Sequence, residues 1–196
     1  MSVKRKLTTI FCADVVGYSR LMGVDEPGTL KRLKSCRELM AGFIEHHHGR
    51  VVSWSGDAVL ADFSSVVESL QCAIEVQREL KARNETAPAA ERMEFRIGIN
   101  LGDVMIEDHD IFGEGVNIAA RLQSLAPPGG ILISGSVHDQ VRNKLTAGFD
   151  FLGNQQVKNI ADHVPAYVVL PDRPQAAAAA EIAIPAVPTV TPSAMA

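Results

Sequence analysis

The chain has 196 residues and a formal net charge of −4. That length gives one domain with room for a full core, and the weak negative charge excludes electrostatic attraction to nucleic acid or to an anionic membrane surface. No apolar stretch approaches a bilayer span, no signal peptide precedes Lys4-Arg5-Lys6, and Cys12, Cys36 and Cys72 are too scattered for a disulfide frame or a zinc site. The expected compartment is the cytoplasm, with no membrane contact from this segment.

In chain order, residues 7–13 predict a strand that runs out into Asp14 and Gly17. The turn Asp25-Glu26-Pro27 launches a helix over 29–48, with acids near its positive end. Leu30, Leu33, Met40, Phe43 and Ile44 recur at helical spacing. His46-His47-His48 invites a metal reading, but consecutive residues point different ways around a helix end, so the run reads as a terminus capped by Gly49. Residues 51–63 predict a hairpin closed through Gly56-Asp57, and 65–84 a helix. A loop over 86–92 leads to a strand over 93–101, with 104–107 as its hairpin partner. Residues 116–125 predict a helix closed by Pro127-Pro128-Gly129-Gly130. A strand (131–134), a short helix (136–144) and terminal strands (149–152, 155–158, 166–170) complete the domain. The pattern implies an α+β fold: a ferredoxin-like βαββαβ core with extra C-terminal strands, helices packed on a mixed, mostly antiparallel sheet. Residues 1–170 form the domain. Residues 171–196, rich in Ala and Pro, read as a disordered linker or tail, with a further domain expected beyond residue 196.

Two acids stand where apolar strands end: Asp14 in Phe11-Cys12-Ala13-Asp14-Val15-Val16-Gly17-Tyr18-Ser19, and Asp57 in Ser55-Gly56-Asp57-Ala58. An acid at a strand end costs little desolvation, and two converging there hold hard cations through oxygen, the usual setting of Mg²⁺ with a nucleotide phosphate. Each alone is also an ordinary turn acid. A third segment, Asp110-Ile111-Phe112-Gly113-Glu114-Gly115-Val116-Asn117-Ile118-Ala119-Ala120-Arg121-Leu122, sets Asn117 and Arg121 one helical turn apart on one face. An amide and a guanidinium so stacked suit an anion developing on phosphorus. In isolation they read as a solvated polar stripe on an amphipathic helix.

With Arg96-Ile97-Gly98-Ile99-Asn100-Leu101-Gly102 and Val157-Lys158-Asn159, these segments resemble, in order, the catalytic domain of class III adenylate and guanylate cyclases, over about residues 7–170. The resemblance implies a head-to-tail homodimer whose two active sites each draw on both protomers. It implies that Asp14, Asp57 and the Val15 carbonyl of one protomer bind two Mg²⁺ (or Mn²⁺), with phosphates over the amides of Val15, Val16, Gly17, Tyr18 and Ser19. From the other protomer it implies Asn117 orienting the ribose, Arg121 stabilising the transition state and Lys158 neutralising the leaving phosphates. The implied reaction turns ATP into 3′,5′-cyclic AMP and pyrophosphate.

One position departs from the family's pattern. Ser53 stands where adenylate cyclases usually carry lysine and guanylate cyclases glutamate, whereas Asp110, the other base-reading position, is the adenylate choice. Losing one charge-assisted hydrogen bond costs roughly 1.5–3 kcal/mol, about ten- to a hundred-fold, which weakens catalysis without abolishing it. The alternatives are a guanylate cyclase, or a degenerate cyclase-homology domain that dimerises or binds nucleotide as a regulatory module. A diguanylate cyclase is disfavoured, since its two glycines followed by an acid pair are absent.

Overall fold

The computed structural model describes residues 4–156 and 163–174. β1 (Lys4–Val15) is the spine of the sheet, paired antiparallel with β3 (Ala58–Phe63) on one side and β4 (Phe95–Glu107) on the other. β2 (Gly49–Ser55) adds outside β3. Beyond β4 come β6 (Ile131–Ser134), β8 (Val164–Pro174) and β7 (Ala147–Gln155), giving the order β2-β3-β1-β4-β6-β8-β7. β5 (Asp110–Phe112) pairs off this path with the far end of β4. Among the described residues only β4 and β6 pair in parallel. The order β2-β3-β1-β4 is the ferredoxin-like arrangement, and the mixed α+β class stands as expected.

Alternation along β1 divides the two faces. Phe11, Ala13 and Val15 pack with Leu33 and Met40 of α2 (Glu26–His46), Leu70 of α3 (Val66–Thr86) and Val137 of α5 (Gly135–Val141). Ile10 and Cys12 face the other way, towards Val104, Ile111 and Ala119 of α4 (Glu114–Leu125). Burial pushes the Cys12 and Cys72 thiols up to about 12, and raises Cys36 as well. All three are buried and free, as read from the sequence.

Several boundaries differ from expectation. Residues 93–107 do not fold back on themselves: Gly102 and Asp103 continue one long strand, because β1 pairs with β4 along its whole length, and the hairpin closes later onto β5. Residues 149–155 belong to one strand rather than two, and β8 runs past Leu170 to Pro174. A short helix, α1 (Tyr18–Val24), lies where only a turn was expected. The residue that closes α2 in the left-handed region is His48 (φ 57), while Gly49 opens β2. His47 is buried, with Nδ1 3.3 Å from Glu68 and Nε2 3.1 Å from Glu75. Among the described residues no group of three or more His, Cys, Asp or Glu is placed to hold a metal. No described helix is long and apolar enough to cross a membrane. Of the tail expected at 171–196, residues 171–174 belong to β8 instead, and 175–196 lie outside the described residues.

Candidate active site

The two strand-end acids meet at Val15. Asp14, next to last in β1, shares the face of Ile10 and Cys12 by alternation. Asp57 lies in the two-residue turn between β2 and β3, and its Oδ2 accepts the Val15 N–H at 3.1 Å. One carboxylate thus precedes Val15 in the chain and the other is bonded to its amide. The turn is braced from α2: Arg37 stacks its guanidinium 5.1 Å from the centre of the Trp54 ring and donates to the Gly56 carbonyl.

Asp14 already has a partner. Arg96, its register neighbour on β4, donates from Nε to Oδ1 and from Nη2 to Oδ2, both at 3.2 Å. The third nitrogen, Nη1, donates to the Ser124 carbonyl near the end of α4 at 3.1 Å. Sequence reading gave Arg96 no role. The only signal that could have found it is its pairing opposite Asp14, which needs the β1–β4 register.

Gly17 turns the chain from β1 into α1 at φ 66, a left-handed conformation that glycine adopts without strain. The Val15 and Val16 amides are committed, to Asp57 and to the Glu94 carbonyl (2.8 Å) respectively. The amides of Gly17, Tyr18 and Ser19 lie at the open start of the helix.

Ser53 follows an irregularity in β2 and pairs with Leu60, which puts it on the α4 face of the sheet. Asp110 opens β5, and its Oδ1 accepts the Ile111 N–H at 2.8 Å. Arg50 of β2 donates to the His109 carbonyl at 2.8 Å, so the strands carrying Ser53 and Asp110 approach although they are not sheet neighbours. Arg50 also pairs with Asp62, which is 4% exposed and takes a second cation, Lys6.

Asn117 and Arg121 both lie on the exposed side of α4, opposite Gly115, Ala119 and Leu122, which face the sheet. Neither side chain bonds another described side chain. The helix is seated very closely: a Cβ at Gly98 would collide with the Gln123 nitrogen and the Ala119 carbonyl. The Asn100 amide donates to the Gly115 carbonyl at 3.0 Å. Gly98→Ala is therefore expected to lower stability by about 1–3 kcal/mol through overpacking, read as a lower midpoint in urea unfolding. Lys158 lies outside the described residues.

Size alone does not select this site. A cavity of about 530 Å³ lies among Gln77, Lys81, Asn84 and Pro171, on the α3 side of the sheet. Another, of about 420 Å³, lies between β4 and the start of α4 beside Asn100, Asp103 and Phe112. Neither acid lines either of them. Asp14, before Val15 in β1, and Asp57, bonded to the Val15 amide, nevertheless bring hard carboxylate oxygens, a donor type that fits Mg²⁺ or Mn²⁺ and not a thiophilic metal.

Residues 2–170 match the family described as the adenylate and guanylate cyclase catalytic domain. A protein of Rhizobium meliloti named putative adenylate cyclase 3 is 42% identical over 160 residues, which is 81% of this chain and 27% of that protein. The chain thus spans about a quarter of that relative's length. A crystal structure described as an adenylate/guanylate cyclase/hydrolase from Silicibacter pomeroyi is 41% identical, covers 87% of this chain and 100% of its own, and superposes with a TM-score of 0.82. The adenylyl cyclase CyaB from P. aeruginosa shares the fold at TM-score 0.78 and 23% identity, covering 88% of this chain and 98% of its own.

Proposed function

The chain belongs to the adenylate and guanylate cyclase catalytic-domain family, and we propose that it converts ATP to 3′,5′-cyclic AMP and pyrophosphate at sites shared by two copies arranged head to tail. One observation carries this reading: Asp14 and Asp57 converge at Val15, while Asn117 and Arg121 point away from the chain's own sheet. An amide and a guanidinium facing outward serve a neighbouring copy's nucleotide, and twofold symmetry then makes two equivalent sites. A site completed by a second chain is open in a single one, which accounts for the two acids lining neither of those cavities.

Asp14, Asp57 and the Val15 carbonyl would hold two Mg²⁺ or Mn²⁺ ions, which when bound lower the pKa of the ribose 3′-hydroxyl and neutralise triphosphate charge. The amides of Gly17, Tyr18 and Ser19 donate to phosphate oxygens. Asn117 of the other copy fixes the ribose so that its 3′-oxygen lies in line with the α-phosphorus. As the 3′-hydroxyl gives up its proton to solvent and its oxygen bonds the α-phosphorus, the bond from that phosphorus to the bridging oxygen breaks and pyrophosphate leaves with the electron pair. Arg121 donates to the α-phosphoryl oxygens where charge accumulates, and Lys158 neutralises the departing pyrophosphate. The expected setting is the cytoplasm.

Asp110 supports ATP over GTP. Its carboxylate accepts from the exocyclic amine of adenine and opposes the O6 acceptor of guanine. Ser53 leaves the opposite side of the base without a charged donor. Ser53→Lys is therefore expected to raise kcat/KM for ATP about ten- to a hundred-fold, the worth of one charged hydrogen bond, and to raise it more than for GTP. Lower ATP turnover by a well-folded Ser53→Lys dimer would show that the base is read differently. Ser53 also favours the second reading, a dimerising regulatory domain without turnover. Measuring cyclic AMP and cyclic GMP formed by the purified domain with Mg²⁺ and with Mn²⁺ decides between them.

A further inference from the structure

The two acids at Val15 are not in the same state. Asp57 accepts one neutral amide through Oδ2. Both oxygens of Asp14 are engaged by the Arg96 fork, with the side chains 24% and 27% exposed. The guanidinium–carboxylate pair is charge-assisted and bidentate, and the planar fork fixes the carboxylate's orientation. The guanidinium also has a second anchor, the Ser124 carbonyl of α4. It is thus held on Asp14 from two elements and does not hang from β4 alone.

We propose that Arg96 is the resident cation of Asp14 in the nucleotide-free protein, and that a divalent ion must displace this fork before Asp14 serves as its ligand. The inference rests on the metal assignment made above and adds to it an order of events. Asp57 offers an unengaged oxygen from the start, whereas Asp14 becomes a ligand only when Arg96 leaves. Arg96 occupies both Asp14 oxygens, so a divalent ion gains the carboxylate only by taking the place of the guanidinium's donors. Metal binding in the absence of nucleotide is therefore weak in the wild-type protein, and the loss appears as affinity rather than as number of sites. Because the same guanidinium holds the Ser124 carbonyl, its departure also frees the last turn of α4, the helix that carries Asn117 and Arg121.

The test is Mn²⁺ binding without nucleotide, followed by the loss of the free-ion electron paramagnetic resonance signal. It compares the wild-type protein with Arg96→Met, Arg96→Lys and Asp14→Asn. Removing a charged, doubly bonded competitor tightens binding about ten-fold or more, so Arg96→Met is expected to bind Mn²⁺ at least that much more tightly. Arg96→Lys separates displacement from a general field effect, because it keeps the charge and loses the fork; it is expected to fall between the two. Asp14→Asn is expected to remove the gain when combined with Arg96→Met. Equal affinity for Arg96→Lys and the wild type, in proteins with intact thermal unfolding transitions, overturns the proposal, as does weaker binding by Arg96→Met. Should Arg96→Met fail to fold, Arg96→Lys alone decides. If the wild-type protein binds no Mn²⁺ even with a non-hydrolysable ATP analogue, the metal assignment itself fails, an outcome distinct from the one that overturns the fork's role.

Discussion

Asp57→Asn is expected to abolish cyclase turnover, lowering it by about a thousand-fold or more, while leaving the fold intact. Losing an anionic ligand removes several kcal/mol of charge stabilisation from the reacting phosphate, and each 1.36 kcal/mol is about ten-fold in rate. Asparagine is the sharper substitution than alanine because its carbonyl oxygen can still accept the Val15 N–H that Asp57 Oδ2 holds now. Alanine also abolishes turnover but leaves that amide without its partner, so part of its effect is on the turn itself. Cyclic AMP formation and circular-dichroism melting, measured on both variants and on Asp14→Ala, separate the two contributions. Substantial activity in Asp57→Asn with an unchanged metal requirement would remove the metal-binding role from this turn.

The second large effect is a recovery. Asp57→Ala and Arg121→Ala are each expected to be inactive, and their mixture to regain about a quarter of wild-type activity. Equal mixing makes about half the dimers mixed, and each mixed dimer has one site carrying both lesions and one carrying neither. The basis is the orientation of α4: Gly115, Ala119 and Leu122 take the sheet side, so Arg121 faces outward from its own sheet. Subunit exchange is checked independently with two differently tagged copies captured together. Exchanged dimers that stay inactive would show that each chain supplies a whole site.

The motif residues were legible because each stands at a local boundary. Asp14 ends an apolar run, Asp57 occupies a Gly-Asp turn, and Asn117 and Arg121 share a helical face by spacing alone. Boundaries that depend on a partner strand were not. Residues 102–103 look like a turn, with a glycine and an acid side by side, yet β1 pairs straight across them. Helix α1 is too short to show a period, and it forms where Gly17 permits the reversal and Leu21 finds a buried place.

Arg96 marks the limit most clearly. In sequence it is one more charged residue at the head of an apolar strand, 82 positions from Asp14. Antiparallel register brings the two opposite each other, and the fork then follows from geometry. The same holds for Gly98, whose missing side chain matters because α4 lies on it. The sequence by itself determined the fold class, the family resemblance and the local identity of the acids, the amide and the guanidinium, because spacing and turn chemistry are short-range. Which carboxylate is open and which is held, which face of α4 is exposed, and which strands bring Ser53 and Asp110 near each other were decided by the tertiary structure. Those are relations between residues far apart in the chain, and only sheet register and helix packing set them.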